Sequence, residues 1–232
     1  MLTLYRAATT AALPVIDLLL WRRAAQGKED RARIDERRGI PSLERPPGRL
    51  VWLHAASIGE AQSILRLVER LLHDRPDLSA LVTTGTVTSA ELLAHRLPAR
   101  ALHQFVPVDR APWIRRFLDH WRPDAAFWVE SELWPNLLLE AQARGIPLAL
   151  VNARISEKSH AAWRRAPATA RRLLDAFDTI LAQDAAIADR LRDLGATRVI
   201  VSGNLKAAAA ALPAEADALL ALQDAFADRP LW

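Results

Sequence analysis

The chain of 232 residues contains no cysteine, which excludes a disulfide framework and a thiolate metal site and suits a reducing compartment. Its eight glycines never fall into G-x-G-x-x-G or G-x-x-x-x-G-K-[ST], so the phosphate-cradling loops of dinucleotide-binding and P-loop proteins are missing, and dehydrogenase and NTPase readings are set aside. His54, His73, His95, His103, His120 and His160 never pair as H-x-x-x-H or H-x-H, so no metal site is expected. Long apolar runs are lacking too. Within residues 2–21 the longest charge-free stretch is 7–16, too short to span a bilayer, and Asp17 with Arg22-Arg23 argues against a secretory signal.

What is present is a chain with 51% hydrophobic residues, long enough for one α/β domain with an appendage. Residues 1–50 carry ten Lys/Arg and six Asp/Glu, which is the whole net charge of +4; the rest is balanced, with 21 of each sign. A basic appendage beside a neutral domain points to an anionic membrane surface and not to nucleic acid, which calls for a basic stripe across the folded domain. Residues 1–24 are therefore expected to form a membrane-associated helix, with Trp21 at the interface and Arg22 and Arg23 among headgroups; a helix packed on the protein's own surface is the alternative. Residues 25–48 read as a charged helix over 28–39 capped by Gly39, then a linker with three prolines.

From residue 49 short apolar runs alternate with longer amphipathic ones: 50–54 then 58–73, 79–83 then 86–96, 101–106 then 111–121, 125–129 then 134–144, 147–152 then 156–176, 179–183 then 185–194, and 198–202. The fold class is α/β. About seven strands form a Rossmann-like parallel sheet with helices on both faces, over residues 49–212. Residues 213–232 read as a helix over 214–226 and the opening of a strand at Arg229-Pro230-Leu231-Trp232, which predicts a carboxy-terminal domain missing from these residues.

Two strings put carboxylates at the carboxyl ends of strands, where open parallel sheets bind ligands. In His54-Ala55-Ala56-Ser57-Ile58-Gly59-Glu60, Glu60 is a candidate general base, Ser57 a helix N-cap and Gly59 a point of close backbone approach; Ser57 and Glu60 also have the spacing of a capping box. In Trp128-Val129-Glu130-Ser131-Glu132-Leu133-Trp134-Pro135-Asn136, two acids lie among tryptophans whose faces suit sugar rings, although acids are favoured near helix starts anyway. Lys206, after the last strand, offers positive charge on the same rim.

Together these strings resemble the amino-terminal half of the 3-deoxy-D-manno-octulosonic acid (Kdo) transferases. Arg31-Ala32-Arg33-Ile34-Asp35-Glu36-Arg37-Arg38-Gly39 is similar to the family's R-x-R-x-x-E-R-x-G, and 54–60 to its H-(S/A)-x-S-x-G-E. Thr83-Thr84 through Ser89, Glu130 to Asn136, Asn152-Ala153-Arg154-Ile155-Ser156 and Gly203-Asn204-Leu205-Lys206 follow in the family's order. The resemblance implies the first half of a two-domain inverting GT-B glycosyltransferase that moves Kdo from CMP-Kdo to a lipid A precursor at the cytoplasmic face of the bacterial inner membrane. It makes Glu60 the proton acceptor and Glu130 and Lys206 stabilisers of the transition state. Ser57, Gly59, Glu132, Trp134, Asn136 and Arg154 become substrate-binding, with no cofactor besides the donor CMP-Kdo, which the missing domain would hold. Where the family continues Leu-Lys with Phe-Asp, this chain has Ala207-Ala208. A non-catalytic membrane-peripheral module that binds lipid A precursor or a partner is the competing class. An unrelated Rossmann-like binding protein is a third reading, favoured if Glu60 and Glu130 lie at opposite ends of the sheet.

Overall fold

The computed structural model describes residues 1–130, 133–205 and 216–226. Helices α1 (Leu2–Ala11) and α2 (Leu13–Ala25) and a 3-10 turn (Ile34–Arg38) precede a run of β1 (Arg49–His54), α3 (Ile58–Asp74), β2 (Leu78–Thr84), α4 (Val87–Arg96), β3 (Ala101–Phe105), α5 (Ala111–Trp121) and β4 (Ala125–Val129). The chain continues through α6 (Pro135–Ala143), β5 (Leu148–Ala153), α7 (Glu157–Trp163), α8 (Pro167–Leu174), β6 (Thr179–Ala182), α9 (Ala185–Asp193), β7 (Val199–Val201) and α10 (Ala216–Ala225).

The strands form one parallel sheet in the order β3-β2-β1-β4-β5-β6-β7. Residues of β1 alternate between the two faces, as a pleated strand requires. Leu50 and Trp52 enter a core with Trp128, Leu148, Leu150 and the inner faces of α5, α6, α8 and α9. Val51 and Leu53 enter a second core with Val82, Val129, Val151 and Ile64, Leu65 and Val68 of α3. Both faces of the central strands are dry, so they read as apolar runs instead of alternating ones. Successive crossovers build outward from β1 to β3, then return to the other side of β1 at β4, so the order of strand addition reverses between β1 and β4.

Helix starts follow the local chemistry. Ser57, Thr86, Ser156 and Asp184 each accept an amide N–H three residues on, at 2.8–3.3 Å, and α5, α6 and α8 begin with a proline in their first two positions.

Three expectations are corrected. The single helix expected over 1–24 is two helices bent by 64°, with Pro14, which has no N–H to give and crowds the preceding turn, just past the break. The charged helix expected over 28–39 shrinks to the 3-10 turn, although Gly39 does cap it in the left-handed region at φ 73°. Its charges are spent on tertiary contacts. The buried Glu36 accepts both Nε and Nη2 of Arg33 at 2.9 Å and the Phe105 N–H at 2.7 Å, while the buried Glu29 pairs with Arg23 and Arg37. The helix expected over 156–176 is broken into α7 and α8, where Pro167 starts a new helix.

Helix α1 docks on α5 and α6. The Tyr5 hydroxyl donates to Asp109 Oδ2 at 2.8 Å, Arg6 pairs with Glu140, and Leu2 packs against the larger core. Helix α2 buries Leu20 but leaves Val15, Leu18, Leu19 and Trp21 more than half exposed. No single described helix is long and apolar enough to cross a membrane, although α1 and α2 together pass by length and composition.

Candidate active site

The site is built where β1 and β4 run side by side, with His54 the register partner of Trp128. Glu60 and Glu130 thus leave neighbouring strands at the same, carboxyl edge of the sheet, on either side of its reversal point. The arrangement that would favour an unrelated binding protein, with the two acids at opposite ends, is not found.

After β1 the chain turns through Ala55 and Ala56 to Ser57, whose extended backbone starts α3. Ser57 Oγ accepts the Glu60 amide at 3.3 Å, and the Glu60 carboxylate folds back over the turn: Oε2 accepts the Ala56 N–H at 2.8 Å and Oε1 accepts the Ser57 hydroxyl at 2.9 Å. This is a variant of the capping box in which the carboxylate takes the N–H one residue ahead of the N-cap, and it fixes the direction of the carboxylate of a residue that is only 8% exposed. A Cβ added at Gly59 would meet nothing within 4 Å, so the chain leaves open space there.

Glu130 follows the last residue of β4 and takes φ 61°, a left-handed conformation uncommon for a non-glycine residue. Its N–H donates to the Val151 carbonyl at 3.1 Å, and its carbonyl accepts the Arg154 N–H at 3.4 Å. Since Val129 pairs with Val151, Glu130 and Asn152 are the next residues on adjacent strands, and Asn152 is left-handed too, at φ 53°. Two such residues side by side mark the carboxyl rim of β4 and β5 as the strained part of the sheet.

The substrate-binding candidates separate. Arg154 is exposed and lines, with Glu130, Leu133, Ser159 and Trp163, a cavity of about 60 Å³. Trp134 is 40% exposed at the N-cap of α6. Trp128, by contrast, is fully buried, edge-on to Trp52 at 4.8 Å, and presents no face to a sugar. Asn136 is buried as well, its amide donating to Thr9 Oγ1 at 3.1 Å and to the Asp109 carbonyl at 2.8 Å. It works inside the clasp that joins α1 to the domain. Glu132 and Lys206 lie outside the described residues, as do Ala207-Ala208 and the tail 227–232.

The sequence does not single out Asp109, and it marks His54 and Asn152 only as members of motifs, with no role of their own. The buried Asp109 carboxylate accepts the N–H groups of Asn136 and Leu137 and the Tyr5 hydroxyl; burial raises its pKa against those bonds. Nothing in Val108-Asp109-Arg110 sets it apart from an ordinary acid before a helix. His54 is fully buried, its Nδ1 3.0 Å from Thr83 Oγ1, and burial, reinforced by the positive charge of Arg37, pushes its pKa down to about 4. A histidine closing an apolar strand was the available signal. A second cavity, of about 250 Å³, lies along the ends of β5, β6 and β7, lined by Val151, Asn152, Ser202, Gly203, Asn204 and Leu205.

With this geometry in place, the comparison with known proteins is direct: residues 32–209 match the family model described as 3-deoxy-D-manno-octulosonic-acid transferase (kdotransferase). The chain belongs to this family. A probable mitochondrial Kdo transferase of Arabidopsis thaliana is 45% identical over 161 residues, covering 69% of this chain and 36% of that protein. The Kdo transferase of Rickettsia bellii is 34% identical over 224 residues, 97% of this chain and 53% of its own. That of Haemophilus influenzae is 32% identical, over 76% of this chain and 42% of its own. The chain thus spans about half the length, or less, of these curated Kdo transferases.

Among solved structures, the S. aureus MnaA–UDP co-structure superposes with a TM-score of 0.53 at 15% identity, over 78% of this chain and 52% of that one. A putative UDP-N-acetylglucosamine 2-epimerase from Listeria monocytogenes gives 0.50 at 13% identity, over 68% and 45%. At such identities the likeness is one of fold alone. It covers about half of each solved chain, in keeping with one Rossmann-like half of a GT-B protein.

Proposed function

We propose that these residues form the acceptor-binding half of an inverting Kdo transferase, which moves Kdo from CMP-Kdo to a sugar hydroxyl of a lipid A precursor. The carrying observation is that Glu60, in the first turn of α3, and Glu130, just past β4, far apart in sequence, follow adjacent strands on either side of the point where the strand order reverses. In this reading the acceptor hydroxyl attacks the anomeric carbon of Kdo, its proton passes to Glu60, and the bond to the CMP phosphate breaks with the electron pair leaving on CMP. A carboxylate offers about four acceptor positions, so the Ala56 N–H and the Ser57 hydroxyl aim the group and leave lone pairs to receive a proton. Glu130 and Lys206 stabilise charge as it develops, and Arg154 and Trp134 contact substrate.

CMP-Kdo is the only small molecule this scheme requires. It is assigned to the half of the family's length that these residues do not match, so that they turn over slowly, or not at all, without that half. The exposed aliphatic residues of α2, followed by Arg22 and Arg23, support placement on the cytoplasmic face of the bacterial inner membrane.

One observation favours the second reading, a non-catalytic module that binds lipid A precursor: Glu60 is already engaged in its own helix cap. Kdo transfer by this chain mixed with a carboxy-terminal half from a family member, beside Glu60→Gln and Glu60→Ala, separates the two. Transfer lost in both variants supports the enzyme. Lipid A precursor binding without transfer supports the module.

A further inference from the structure

Among the described residues, Asn152 joins the ends of β5, β6 and β7 through hydrogen bonds that involve side chains. Its Oδ1 accepts the Leu205 N–H at 2.9 Å, beyond β7, and its carbonyl accepts Gln183 Nε2 at 3.1 Å, beyond β6. It is 3% exposed, it holds φ 53°, and its Nδ2 is buried without a hydrogen-bond partner. A left-handed backbone and an unanswered buried donor both oppose folding, and local strain of this kind gathers at functional sites. What the conformation achieves is geometric. It turns the side chain of Asn152 toward the loop after β7 while its neighbour in register, Glu130, turns in the same left-handed way.

We propose that Asn152 is a positioning residue for the transfer reaction: through Oδ1 it fixes the backbone one residue ahead of Lys206 relative to the strand end that carries Glu130. The inference rests on the transferase reading given above. It assigns Asn152 no contact with substrate. Its work is to hold Leu205, part of the wall of the 250 Å³ cavity, in place against the β4–β5 rim.

Two variants separate this role from general stability. Asn152→Gly adopts φ 53° without strain and removes the acceptor; Asn152→Asp keeps an acceptor at the same place. In the intact chain, amide hydrogen exchange at Leu205 is expected to rise about tenfold in Asn152→Gly and to stay near wild type in Asn152→Asp. In the mixed transfer assay, kcat should fall about tenfold in Asn152→Gly with acceptor KM little changed, as for a group acting on the transition state through another, and Asn152→Asp should restore it. Added to Lys206→Ala, Asn152→Gly should cost nothing further. Unchanged exchange at Leu205 overturns the anchor itself. Losses that multiply in the double variant, or an Asn152→Asp as impaired as Asn152→Gly, overturn the route through Lys206. Exchange that responds as expected in a chain whose wild type transfers no Kdo overturns the transferase reading, and the catalytic meaning of the anchor with it.

Discussion

Ser57 and Glu60 each donate to and accept from the other: the serine oxygen takes the glutamate's amide at 3.3 Å, and the serine hydroxyl returns a bond to the glutamate's Oε1 at 2.9 Å. One pair of residues therefore both starts α3 and aims the proposed base. Ser57→Ala should lower unfolding free energy by about 1 kcal/mol, the usual worth of an N-cap. It should lower kcat in the mixed transfer assay by more than that loss of folded protein explains. Urea titration gives the first quantity, and an unchanged kcat would separate capping from aim.

Glu36 ties the segment before β1 to the end of β3. Replacing it with alanine leaves the buried Phe105 N–H without its acceptor and takes the carboxylate from Arg33, which keeps the His103 carbonyl, and should cost about 2 kcal/mol, the penalty for an unsatisfied buried donor. Glu36→Gln should lose less, because an amide oxygen still accepts from Phe105. The urea midpoints of the two variants test that order.

At Gly39 two obstacles coincide. The backbone is left-handed, and an added Cβ would lie 2.0 Å from the Trp113 carbonyl oxygen at the start of α5. Gly39→Ala should destabilise by more than about 2 kcal/mol, beyond the ordinary penalty for alanine at positive φ. A thermal unfolding curve that overlays the wild type would contradict this.

His54 gives stability a pH dependence of known sign. Its pKa is about 4 in the fold against 6.5 unfolded, so between those values the unfolded chain binds a proton that the native chain refuses. Its contribution is complete above pH 6.5 and is lost as pH falls toward 4, about 3 kcal/mol over the interval at ~1.4 kcal/mol per unit. His54→Gln removes this titration. The unfolding free energies of wild type and variant, measured at pH 7 and pH 4.5, should converge by roughly 2 kcal/mol at the lower value.

The clasp of α1 depends on Tyr5 and Asp109. Tyr5→Phe should cost about 1 kcal/mol and speed amide exchange in α1 with little effect on the strands, since Asp109 keeps its two backbone donors. Exchange spread evenly over the domain would mean that α1 is no separate unit.

The sheet was legible because its signal is redundant: apolar runs such as Leu50–Leu53, buried on both faces, recur between amphipathic stretches, and prolines and glycines punctuate them. The carboxylates of Glu60 and Glu130 were legible through motif and position. What escaped was tertiary. Charges over 28–39 looked like a solvated helix because nothing local says that Glu29 and Glu36 find arginines and strand amides in the interior. Asn136 reads as part of a rim motif but faces Thr9 and Asp109, 127 and 27 positions away. Left-handed turns at Glu130 and Asn152, neither of them glycine, leave no trace in composition.

Between β1 and β4 the chain travels out to the sheet's edge and back, so Glu60 and Glu130 follow neighbouring strands yet share no local segment. Either loop can lengthen, shorten or change its side chains without dragging the other along. A strand order that reverses in this way lets the segments that follow two adjacent strands vary as separate inheritances.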